Sequence, residues 1–154
     1  MTTRATEPTW GLFAISIWIG GEEALGKGVD SYTQKLYDAA NRSENPVSVK
    51  RLFIVKKSDI KDEVLHKRMN RDIEKGNVDV KLMSVDQWIG GTEELQNPVE
   101  FGVWDSDLVW TYTTSHLSEE LGDQAVLLIG ETNVQRYRKR FLINFNHASR
   151  IPEI

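Results

Sequence analysis

The chain has 154 residues, of which 40% are hydrophobic and 27% charged, with a formal net charge of −4. That length fits one domain, able to bury a core without covalent staples. Because cysteine is absent, disulfide frameworks, thiolate nucleophiles and zinc–thiolate sites are excluded.

Residues 1–9 are polar and read as a flexible arm, leaving 10–154 as a single α/β domain. The arm lacks the apolar centre of a secretory signal, and the run from Gly11 to Gly20 is half the length a membrane span needs. A cytoplasmic protein without a membrane partner is therefore expected. The segment Leu12-Phe13-Ala14-Ile15-Ser16-Ile17-Trp18-Ile19 reads as a buried strand stopped by Gly20-Gly21. A helix is predicted over 31–41, capped by Asp30 or Ser31, with Tyr32, Leu36, Ala39 and Ala40 on one face.

The strongest signal is 48–83. Val49, Leu52, Phe53, Ile54 and Val55 form a nearly continuous apolar run, as in a strand covered on both faces. A helix over 58–75 follows, capped by Ser58 or Asp59, with Ile60, Val64, Leu65, Met69 and Ile73 at helical spacing. Gly76-Asn77 suits the positive φ just past a helix end. Val78, Val80 and Leu82 then alternate with Asp79, Lys81 and Met83 as a second strand. Strands joined through a helix of this length run parallel.

Residues 84–97 form a polar loop anchored by Trp88. A hairpin is predicted from 99–104 and 108–113 across Asp105-Ser106-Asp107. Ala125 to Ile129 reads as a buried strand ended by Gly130. The closing helix begins with a Thr132/Gln135 capping box and carries Val134, Tyr137, Phe141, Phe145 and Ala148 at spacings of three and four. The expected fold is α/β, with a mixed, mainly parallel sheet of about six strands and helices on its faces.

Candidate chemistry is sparse. His66 and His147 fall on predicted helix surfaces, with no metal-ligand spacing around them, so neither a metal nor a cofactor is expected. His116 follows a predicted strand at Thr113-Thr114-Ser115-His116, and loops after strands are where binding residues concentrate. The glycines after the first strand match no phosphate-loop motif, and Glu22 and Glu23 would repel phosphate. Of the five tryptophans, most are expected in the core. Residues 48–75 and 132–154 each carry +4, which leaves −12 on the remainder. Net acidity makes nucleic acid an unfavoured partner, and the basic segments read first as solvated helix faces.

The order of elements resembles the phospholipase D-like superfamily over roughly residues 12–148. The resemblance rests on Ala39-Ala40-Asn41-Arg42, on Val49-Lys50-Arg51-Leu52-Phe53-Ile54, and on the hairpin Phe101-Gly102-Val103-Trp104-Asp105-Ser106-Asp107-Leu108-Val109. The family's signature is H-x-K-x-x-x-x-D. With Asp105 on its aspartate, Glu100 stands at the lysine and Pro98 at the nucleophilic histidine. The resemblance therefore implies a catalytically silent member, of the kind that serves as a sensory or interaction module in regulatory and signalling systems.

The expected function is a non-catalytic phospholipase D-like domain that binds a small ligand or a protein partner. Its pocket would lie outside the carboxyl ends of the parallel strands, walled by Trp18, Asp105, Ser115 and His116. One alternative is a phosphodiesterase or nuclease acting as a homodimer through His116. The other is a nucleic-acid-binding module that uses Arg136, Arg138, Lys139 and Arg140, together with the basic face of 50–75.

Overall fold

A computed structural model describes residues 11–17, 31–43, 46–91, 95–104, 108–113 and 124–150. Six strands form one sheet: β1 (Gly11–Ile17), β2 (Ser48–Val55), β3 (Asp79–Ser84), β4 (Phe101–Trp104), β5 (Leu108–Thr113) and β6 (Gln124–Ile129). Among the described residues three helices accompany them: α1 (Ser31–Ala40), α2 (Glu63–Glu74) and α3 (Glu131–His147). The strand order is β3-β2-β1-β4-β5-β6.

The predicted β2–α2–β3 unit is present, and β2 and β3 pair in parallel with Phe53 opposite Leu82. β1 also pairs in parallel with β2, which completes the first βαβ unit. The second half differs from the expected mainly parallel sheet. β4 runs antiparallel to β1, and β5 and β6 continue antiparallel. For β4 and β5, the hairpin already expected, the reason is connection length. The link from β4 to β5 spans only 105–107, too short for a crossover back to the same end of the sheet.

Alternation along the strands sends side chains to two covered faces. Leu12, Ala14, Val49, Phe53, Val55, Val80 and Leu82 meet Tyr37, Ala39 and Ala40 of α1 and Leu65 and Met69 of α2. On the other face, Phe13, Ile15, Leu52, Ile54, Met83, Phe101, Val103 and Val109 meet Val134, Phe141 and Phe145 of α3. Phe141 stacks on Phe13 at 4.9 Å between ring centroids, and Tyr137 meets Phe101 edge-on. Each such aromatic pair adds about 0.5–1.5 kcal/mol beyond its buried area.

Helix ends depart from the predicted caps. Lys57–Asp59 form a 3₁₀ turn, and α2 begins one turn later. Its cap is Asp62, whose Oδ1 accepts the Val64 amide at 2.8 Å. Ser58 and Asp59 carry equivalent capping chemistry, but the chain is still turning there. α3 begins at Glu131 after Gly130, at φ 116, and no side chain caps it, so the Thr132/Gln135 box does not form. β6 is also not a buried strand. It lies at the sheet edge, with Leu127 61% and Ile129 76% exposed.

The predicted loop at 84–97 is pinned at both ends. Trp88 donates through Nε1 to the Leu95 carbonyl at 2.9 Å. Ile89 is held by Asn144 of α3, which accepts the Ile89 amide at 2.8 Å and donates to its carbonyl at 3.0 Å. The arm at 1–9 lies outside the described residues. Among the described residues no helix is long and apolar enough to cross a membrane.

Candidate functional site

Three places carry polar chemistry, and the sequence pointed to two of them. The first is the carboxyl end of the parallel strands. Trp18, Asp105, Ser115 and His116, the predicted pocket walls, all lie outside the described residues. The hairpin that flanks Asp105 does form, with Trp104 opposite Leu108. Beside it, Glu100 accepts the Ile17 amide through Oε1 at 3.0 Å, and its carbonyl accepts from the Thr111 hydroxyl at 3.0 Å. The Glu100 carboxylate is thus tied to the end of β1. His66 is likewise structural: its Nε2 lies 2.7 Å from the Ile60 carbonyl, over the start of α2.

The second place is α3. Arg136 and Lys139 are exposed, whereas Arg138 and Arg140 are half-buried. Arg140 donates to the Ile89 carbonyl at 3.2 Å, and Arg138 lies 5.8 Å from the centre of the Phe13 ring. Of the four predicted cations, Arg136 and Lys139 are thus the more exposed, while Arg138 and Arg140 lie against Phe13 and Ile89. Arg136 lines an open hollow of about 380 Å³ with Leu95, Leu128, Asn133 and Tyr137. Farther along, Lys81 donates to the Phe145 carbonyl at 3.0 Å and lies over the Phe145 ring, favourable for a cation at a helix C-terminus. Lys50 pairs with Asp79 at 3.2 Å, and Arg150 pairs with the same carboxylate. Burial alone would raise Asp79, but hydrogen bonds from Arg150 and Lys50 outweigh it and hold the carboxyl below its usual value.

The third place was missed by sequence reasoning. Arg51, between Val49 and Phe53 on the α2 side of the sheet, is buried and donates through Nη1 to Asp72 Oδ2 at 3.2 Å. Its Nε donates to the Ser16 hydroxyl at 2.9 Å. Tyr37 donates its phenol to the same Asp72, and Arg68, one turn before it on α2, lies 3.7 Å away. Desolvation, and then the charge of Arg51, lower the Arg68 pKa. Burial, followed by Asp72, pushes the Tyr37 phenol up to about 12. The only available signal was a lone arginine between Val49 and Phe53 on a covered strand face, with nothing local to name its partner. Among the described residues no cluster of three His, Asp or Glu could hold a metal ion.

The sequence matches no protein-family model and no curated protein. The fold resembles a solved structure of TrmBL2, an archaeal chromatin protein that shows a novel mode of DNA binding. The TM-score is 0.54 at 11% identity, over 90% of this chain and 44% of that one. The likeness is one of fold, and the chain spans less than half of its neighbour's length.

Proposed function

We propose that the chain is a non-catalytic α/β module of a DNA-associated protein, touching phosphate through the outward cations of α3. The observation that carries this reading is the likeness of nearly the whole chain to part of a DNA-binding chromatin protein. Arg136 and Lys139 are the exposed cations of the four and present their charge to solvent, whereas Arg138 and Arg140 lie against Phe13 and Ile89. With a net charge of −4, such contact is local and weak, and it reinforces binding by other parts of an assembly.

Duplex DNA titrated by fluorescence anisotropy at several salt concentrations tests it. Two phosphate contacts give log K against log salt a slope of about −2, and removing one cation reduces it by about 1. Lys139→Gln and Arg136→Gln are expected to do so each. No binding at low salt, or binding indifferent to both substitutions, would refute the reading.

A second reading is a phospholipase D-like module, catalytically silent, that binds a small ligand or protein partner within a regulatory system. It is favoured by the β4–β5 hairpin on either side of Asp105, and its silence by Glu100 and Pro98, which depart from the lysine and histidine of the resembled motif. A ligand that protects His116 and Trp18 from chemical modification would support it over phosphate contact at α3.

A further inference from the structure

The two edges of the sheet are built differently. β3 alternates charge along its length through Asp79 and Lys81, both engaged in ion pairs or hydrogen bonds. Its outer side is also covered: Leu82 and Ser149 exchange backbone hydrogen bonds of 2.8 and 3.0 Å. These are the devices by which edge strands avoid pairing with other chains.

β6, at the opposite edge, shows none of them among the described residues. Gln124-Ala125-Val126-Leu127-Leu128-Ile129 contains no charge, no proline and no glycine. Among the described residues no strand pairs with its outer side. Leu128 packs towards the core beneath α3, which turns Leu127 and Ile129 to the other face. They are the two most exposed large hydrophobic residues described, at 61% and 76%. Cross-strand register places Leu127 beside Trp110, and Ile129 beside Leu108. The apolar rows of β5 thus run out to the edge and end there.

We infer that β6 pairs antiparallel with β6 of a second copy, joining two sheets into one of twelve strands about a twofold axis. The partner is specified by the strand's own composition. A twofold axis sets the strand against its reverse, and no register within 124–129 brings one charge against another. Leu127 and Ile129 of each copy then extend the rows begun by Trp110 and Leu108 onto the other. Six residues span only ~20 Å of edge. Strand pairing alone falls short of the roughly 800 Å² per partner of a standard interface, so the flanking apolar rows complete it and the dimer is concentration-dependent.

Sedimentation velocity over a range of protein concentrations tests this. The wild-type chain is expected to shift from monomer to dimer with increasing concentration. Leu127→Lys and Ile129→Lys each place a charge on an exposed edge, so folding is retained by circular dichroism. Each is expected to raise the dimer dissociation constant roughly tenfold or more, about 1.4 kcal/mol. Val85→Lys, at an exposed apolar position next to the opposite edge, leaves association unchanged. A monomer at every concentration, or a dimer that persists in both lysine variants, overturns the inference.

Discussion

Arg51 Nη1 lies 3.2 Å from Asp72 Oδ2, where an inner strand of the sheet meets a helix and the aspartate has no exposed surface. Arg68 and Tyr37 converge on the same carboxylate. Removing Asp72 therefore takes a shared carboxylate from two buried guanidinium groups and a buried phenol at once. Breaking a buried pair from one side costs about 3–5 kcal/mol, a large share of the 5–15 kcal/mol typical of a whole domain. Asp72→Asn should lower the urea midpoint accordingly. Combined with Arg51→Met, it should cost less than the two single changes summed, by roughly 0.5–3 kcal/mol, because the residues share one network.

The same cluster sets an alkaline limit. Tyr37 ionises near 10.0 when unperturbed, and burial followed by the Asp72 contact raises it to about 12. A raised acid is held neutral by the fold, so its stabilisation is complete below about pH 10 and is lost as pH rises towards 12. Stability measured by urea titration should fall across that window. Tyr37→Phe should be less stable at neutral pH, by about 1–3 kcal/mol for the donor Asp72 loses. Its alkaline decline should be shallower. Tyrosinate absorbance should show one of the four tyrosines titrating late in the wild-type chain.

At the end of α2 the predicted Gly76-Asn77 turn divides its labour. Asn77 takes the positive φ, at 52, while a Cβ on Gly76 would strike the Tyr37 ring and the Asp72 carbonyl. That ring cannot swing away without breaking its bond to Asp72. Gly76→Ala should cost about 1–3 kcal/mol through overpacking. Asn77→Gly, which relieves only a backbone preference, should be close to neutral in the same thermal melt.

This turn illustrates what periodicity can reach. The alternation of Val80 and Leu82, the helical spacing of Leu65 and Met69, and the two rows of the hairpin were all legible, because each needs only local sequence. Arg51 and Asp72 were not, since their pairing joins residues of a strand and a helix 21 positions apart and no local pattern specifies it. β6 failed for the converse reason: an apolar run reads the same at a sheet edge as in its middle, and strand order is a global property. The α2 cap was ambiguous because Ser58, Asp59 and Asp62 all offer suitable oxygens within one turn. Of the candidate site, the outward charge of Arg136 and Lys139 was legible. The withdrawal of Arg140 onto Ile89 was not, because it depends on Asn144 fixing that loop.

The last prediction is chemical silence towards phosphodiesters. On the proposed phospholipase D-like reading, the nucleophile's position would hold Pro98, which cannot attack phosphorus, and the cation's position Glu100. Losing one charge-stabilising donor costs about 10²–10³ in rate, and losing the nucleophile removes the covalent route altogether. Glu100 is moreover not free to be exchanged: its Oε1 holds the Ile17 amide at 3.0 Å, where β1 runs past the end of its pairing with β4. Glu100→Lys should therefore lower stability, by about 1–3 kcal/mol for an amide left without its acceptor, and should create no activity. Purified wild-type protein and this variant are both expected to leave bis-p-nitrophenyl phosphate, DNA and phospholipid intact. Turnover above background in the wild-type chain, abolished by His116→Ala, would instead establish the dimeric phosphodiesterase. A β6–β6 dimer that Ile129→Lys dissolves would then show whether that activity requires both subunits.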